Sequence, residues 1–207
     1  MTAARNYPEN AMKNAPVRRD STSSSSPWLK TYYFIRAAVS IGWIATALAI
    51  GKNVPTLSAI LLVAYPAWDA IANFLDAHKS GGLRANVSQT LNLVISVITA
   101  ICVAVALGVS MNAVITVFGG WAILSGLFQL ATGIRRRKSA GAQWPMVLSG
   151  AQSALAGASF FKMAAAATPP SIVAIAPYAA FGAFYFLVSA LWLTFKKVRP
   201  HTAALPG

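Results

Sequence analysis

The 207-residue chain is short of nearly everything a soluble domain shows to water. Only 10% of its residues are charged, where soluble proteins carry about 25%. Acidic groups are the scarcest, with 4 Asp+Glu against 17 Lys+Arg and a formal net charge of +13. Cys102 is the only thiol, so no disulfide can form within the chain. It lies inside an apolar run and reads as a small hydrophobe. His78 and His201 are the only imidazoles. Neither has a second His or a Cys beside it to begin a metal cluster. Gly-rich phosphate loops, zinc-protease motifs and nucleophile elbows are absent. The disulfide scaffold is excluded, and an enzyme, a bound cofactor or a metal site becomes a poor reading. A nucleic-acid partner is equally poor, because it calls for a basic face on a soluble module.

Apolar sequence is what the chain has in abundance, at 57% of all residues. No Asp, Glu, Lys, Arg or His occurs from Ala85 to Ile134, and further charge-free runs cover Ala37–Gly51, Asn53–Trp68, Ser139–Phe161 and Met163–Phe195. A helix that crosses a bilayer needs about 20 apolar residues. The runs predict an all-α polytopic membrane bundle of six transmembrane helices, about Tyr32–Ile50, Thr56–Ala77, Val87–Gly108, Met111–Ile134, Trp144–Ala166 and Ile172–Phe195. Barrel strands would be half as long and would alternate polar with apolar residues. Pro177 falls inside the sixth run, so that helix either kinks there or begins late.

Residues 1–29 read as a disordered cytoplasmic tail, basic through Arg5, Lys13, Arg18 and Arg19 and carrying the tract Ser21–Ser26. The six-helix domain spans 30–196, and 197–207 form a second short cytoplasmic tail. With the N-terminus inside, 15 of the 17 basic residues fall on the cytoplasmic side, and only Lys52 and Lys162 face outward. That asymmetry sets the orientation. The run Arg135, Arg136, Arg137 and Lys138 is placed to meet anionic lipid head groups, at about 1 kcal/mol per basic group.

The chain repeats itself. Tyr65-Pro66-Ala67-Trp68 aligns with Phe118-Gly119-Gly120-Trp121 and Phe181-Gly182-Ala183-Phe184, and Asp76, Gln129 and Trp192 share one position. Ser40, Ser96 and Ser149 stack in the odd-numbered helices. The unit is a two-helix hairpin of about 53 residues, occurring at 30–77, 87–134 and 144–196. Each hairpin holds two spans, so the three point the same way, and a pseudo-threefold bundle about the membrane normal is expected.

The stretch Phe118–Phe161 (FGGWAILSGLFQLATGIRRRKSAGAQWPMVLSGAQSALAGASFF) resembles the HdeD-type acid-resistance membrane proteins, which are built from short repeated membrane hairpins. The shared features are an aromatic-Trp helix followed by Ser-Gly, a basic loop, then Trp-Pro and a small-residue helix. The resemblance implies a bacterial inner-membrane protein of six helices, non-enzymatic, contributing to survival in acid. It brings no catalytic residues.

Two sets of residues stand out within the helices. Small side chains allow close approach in lipid. Ser149, Ser153 and Gly157 recur at four-residue spacing, with Gly119 and Gly126 in the fourth helix and Gly42 in the first. They are expected to pack the bundle or a homo-oligomer interface. Trp43, Trp68 and Trp121 read as core, and Trp28, Tyr32, Tyr33 and Trp144 as interfacial aromatics. The second set is polar. Tyr65, Asp69, Asn73 and Asp76 share one face of the second helix. A carboxylate there must face the bundle and find a partner. Arg36 is the expected partner, with Asn92 and Gln129 completing a cluster. Asp69 then either locks packing with Arg36 or serves as a protonatable site. In the latter case the protein would be a small-solute or proton transporter or channel.

Overall fold

A computed structural model describes residues 27–136 and 144–195. All regular structure among them is helical. The helices are α1 (Pro27–Ala49), α2 (Pro55–Lys79), α3 (Val87–Ala106), α4 (Met111–Arg136), α5 (Trp144–Ala164) and α6 (Ala176–Phe195). Single 3-10 turns precede α2, at Gly51–Asn53, and α6, at Ile172–Ile175.

The helix limits follow local chemistry. Pro55 opens α2, where its missing N–H costs nothing. Pro177 is the second residue of α6, so the sixth run divides into a 3-10 turn and a late-starting helix. The α2–α3 connection turns on Gly81 and Gly82 at φ 102° and 92°, a region costly for side-chain-bearing residues. There Gly82 N–H donates to Ala77 O at 2.8 Å and closes the end of α2. At the other end of the chain, α1 already begins at Pro27, so the last three residues of the expected tail are helical. The rest of that tail, the tail at 197–207, and Arg137 and Lys138 lie outside the described residues, as do the side chains of Arg135 and Arg136.

Five segments are long and apolar enough to cross a membrane: Pro27–Asn53, Pro55–Lys79, Val87–Ala106, Met111–Ala131 and Ile172–Phe195. The fifth of the six expected spans, α5, is not among them. Its 21 residues include Ser149, Gln152, Ser153, Ser159 and Lys162, which dilute its apolar character. Elsewhere the surface is hydrocarbon-like. Val105, Leu155, Trp192 and Phe195 are each exposed by at least 68%. In water such a surface would drive aggregation; against acyl chains it is matched.

Helices follow one another around the bundle and α6 closes on α1. The most extensive packing joins α4 to α5, α2 to α3 and α1 to α6, whereas α1–α2 and α5–α6 meet lightly. Helices of successive expected hairpins therefore touch more than the two helices within the first or third.

Glycine explains the closest of these contacts. A Cβ on Gly126 would sit 2.6 Å from Gly150 O, and one on Gly157 would sit 2.6 Å from Gly119 O. The α4 and α5 backbones thus approach to a distance only glycine permits. Gly42 is different. A Cβ there would meet nothing within 4 Å, and the residue is exposed, so it makes no helix contact of the expected kind within the chain.

Candidate functional site

The six helices enclose a cavity of about 270 Å³. Its wall comes mainly from the first halves of α1, α3, α5 and α6 and the second halves of α2 and α4. The opposite half of the bundle is dry: Ala47, Leu62, Val103, Val114, Ile115, Ile172 and Ile175 are fully or almost fully buried there. Polar groups in a hydrocarbon-embedded bundle are stable only on one another, and this segregation is the result.

Asp69 is the hub. Its Oδ1 accepts from Arg36 Nη2 across α1 and α2. Its Oδ2 accepts from Asn73 Nδ2 at 2.9 Å and from Ser96 Oγ at 2.8 Å. Ser96 in turn accepts from Trp121 Nε1 at 3.0 Å. On the cationic side, Arg36 Nη1 donates to the Tyr32 hydroxyl at 3.0 Å, and the guanidinium carbon lies 4.1 Å from the centre of the Phe186 ring. One ion pair thereby connects α1, α2, α3, α4 and α6. Its side chains are 12% and 19% exposed, so the pair is screened from bulk water yet open to the cavity. Charge-assisted bonds of this kind are the strong ones. Between α1 and α2, which pack lightly, other links are the Trp43 Nε1–H bond to Leu61 O at 2.8 Å, the Trp43 and Tyr65 rings 4.9 Å apart, a hydrogen bond between the Ser40 and Tyr65 side chains, and the Lys79 ammonium 5.6 Å from the Trp28 ring.

A chain of rings floors the cavity. Tyr65 meets Trp121 edge-on at 5.8 Å, Trp121 meets Tyr178 at 5.9 Å, and Tyr178 meets Phe160 at 5.7 Å. Edge-to-face pairs at these separations are the favoured aromatic geometry. Farther around the wall, Gln129 donates to Ser149, the Ser153 and Tyr178 hydroxyls lie 3.1 Å apart, and Tyr185 donates to Gln152 Oε1 at 2.8 Å. Ser153 also donates to Ala122 O at 2.9 Å. At the rim, Asp76 accepts from Gln89 at 3.3 Å.

Arg36, Tyr65, Asp69, Asn73, Asp76, Asn92 and Gln129 all line this one cavity. They do not form one bonded cluster: Gln129 pairs with Ser149, and the Asn92 side-chain oxygen has no partner. Two aromatic expectations are corrected. Tyr32, expected as an interfacial ring, is buried within the bundle beside Arg36. Trp68 is not sealed in the core but faces the cavity. Ser96, Trp121 and Phe186 are the partners that sequence reasoning missed. The repeated serine position at 40, 96 and 149 was the available signal for Ser96. Among the described residues, no three His, Cys, Asp or Glu side chains converge as metal ligands.

The model of a family described as a short repeat of unknown function (DUF308), which includes HdeD-like membrane proteins, matches residues 94–162. The match runs from within α3 to near the end of α5 and includes Ser96, Trp121 and the α4–α5 glycine contacts. No curated protein and no solved structure matches the chain. With the apolar helices, the match marks an integral, multi-pass membrane protein.

Proposed function

We propose that this chain is a non-catalytic inner-membrane protein of the HdeD type that contributes to adaptation to acid. It has six spans from three repeated hairpins, and both termini are cytoplasmic. α5 crosses as the sixth span: its glycines seat it on α4, and Ser149, Gln152 and Ser153 bond to α4 and α6 inside the bundle. The positive-inside asymmetry supports the orientation, and the cavity then lies in the cytoplasmic half. The single observation that carries the reading is the Arg36–Asp69 pair, which ties five helices together through a single carboxylate.

Deleting the gene should lower survival after acid challenge, and the wild-type chain, but not Arg36→Ala, should restore it. Equal survival of the deletion strain would remove the acid role. Topology is tested separately, by reporter fusions after Phe195 and at Lys52. A periplasmic C-terminus would overturn the orientation.

The cavity favours a second reading, a small-solute or proton transporter or channel. A path would have to open through the apolar half beneath the aromatic floor. Flux into liposomes altered by Asp69→Asn would support it, and silence across a broad solute panel would dismiss it.

A further inference from the structure

The ionic groups of the cavity do not balance. Among the described residues its wall holds one cation, Arg36, and two acids, Asp69 and Asp76. Arg36 and Asp69 neutralise each other. Asp76 has neutral partners only, Gln89 Nε2 at 3.3 Å and Ser80 Oγ at 3.5 Å. Both bonds are long, since good N–H···O bonds span about 2.7–3.2 Å. His78 and Lys79 are close in sequence, yet among the described residues no Lys, Arg or His pairs with Asp76. The Lys79 ammonium instead lies 5.6 Å from the centre of the Trp28 ring. Asp76 is half-buried on the cavity wall, where a ligand can reach it.

Two further features act in the same direction. Asp76 lies in the last turn of α2, which ends at Lys79, so the negative end of the helix dipole adds to its charge. Rings also gather here. Tyr32 and Tyr33 lie within the field of Asp76, Tyr33 stacks on Phe186 at 6.2 Å, and all three line the cavity. Aromatic faces attract cations. Two of these rings already do so, with the Arg36 guanidinium carbon 4.1 Å from the Phe186 centre and 5.8 Å from that of Tyr32.

One uncompensated negative charge calls for one positive charge. A hard metal ion takes six or more oxygen ligands, and among the described residues no three His, Cys, Asp or Glu side chains converge. A primary ammonium asks less: it brings three N–H donors to a carboxylate with lone pairs to spare, and its carbon substituent suits the rings. The volume of about 270 Å³ lies just below the ~300–1,000 Å³ of drug-sized sites, which fits a small amine.

We propose that this cavity binds the primary ammonium group of a small organic molecule, with Asp76 as its counter-ion. Neither the acid role nor the orientation enters this inference. The ammonium can belong to a free amine or to the head group of a lipid.

The test uses the full chain in an uncharged maltoside detergent, titrated by calorimetry and tryptophan fluorescence at constant ionic strength. One arm adds butylamine, a second adds a lysolipid with an ethanolamine head, and a third adds butanol, butyrate and sodium. Saturable binding in the first arm identifies a free amine. Saturable binding in the second arm alone identifies a lipid head group. In either case Asp76→Asn should weaken binding about tenfold or more, the effect of losing a charge-assisted bond. Asp76→Glu keeps the charge and should retain binding. Tyr33→Leu should weaken it about threefold, as loss of one ring contact does. Thr116→Ala, outside the cavity, should leave it unchanged. No saturable binding of either amine up to millimolar concentration, equal or exclusive binding of the third-arm probes, or binding by folded Asp76→Asn as tight as by the wild-type chain would overturn the proposal.

Discussion

Arg36 and Asp69 stand 33 positions apart and meet across two helices that otherwise pack lightly. The pair therefore acts as the principal polar tie between α1 and α2. Asp69 is also the point from which the network reaches α3 and α4.

Removing one partner should cost more than removing both. Arg36→Ala leaves a mostly buried carboxylate without its counter-charge, and breaking a buried pair in this way costs about 3–5 kcal/mol. Replacing both residues by leucine should recover most of that loss. Melting midpoints of the three variants in one detergent check the ordering. A double variant less stable than Arg36→Ala would show that the ion pair itself is indispensable.

The α4–α5 contact should tolerate no side chain at its closest points. Gly157→Ala places a Cβ 2.6 Å from Gly119 O and 2.9 Å from Ile123 N, and Gly126→Ala is equally obstructed. Each should destabilise by about 1–3 kcal/mol, as overpacking does. Gly42→Ala faces open space and should be neutral. Size-exclusion profiles after graded heating distinguish these outcomes.

Trp121→Phe keeps the ring but removes the N–H that Ser96 accepts. The expected loss is about 1 kcal/mol. Ser96→Ala should cost at least as much, because it also withdraws a donor from Asp69. The double variant should cost less than the sum, since the groups belong to one network. Strict additivity in denaturation midpoints would argue that the bonds act independently.

Water access should follow the division of the bundle. With Cys102 replaced by serine, a cysteine at Gln129 or Ser125 should react with a membrane-impermeant thiol reagent added to inside-out vesicles. A cysteine at Val114, fully buried in the apolar half, should not. Equal labelling of Val114→Cys would mean that the dry half is also open.

Composition made the membrane class legible, because runs free of charge and longer than a hydrocarbon slab leave few alternatives. Helix limits were readable within a few residues, since Pro55, Gly81 and Gly82 act locally. Much of the site was readable too. Asp69 is an acid inside an apolar helix, and such a residue must find a partner. Ser96 was harder to see, because a serine in an apolar run usually bonds its own backbone and signals nothing by itself. Trp68 was misjudged for the opposite reason: apolar bulk suggested burial, but its position on α2 turns it toward the cavity.

Residue order alone determined that the chain offers apolar helices long enough for a bilayer and which helix carries the buried acid. These properties depend on hydropathy and on spacing along a single helix. Which helices lie side by side, that α5 rests on α4 through glycine, and that polar side chains from six helices share one half-depth cavity were decided only in three dimensions. Such contacts join residues far apart along the chain, and their energies come from the fit of surfaces that no local pattern encodes.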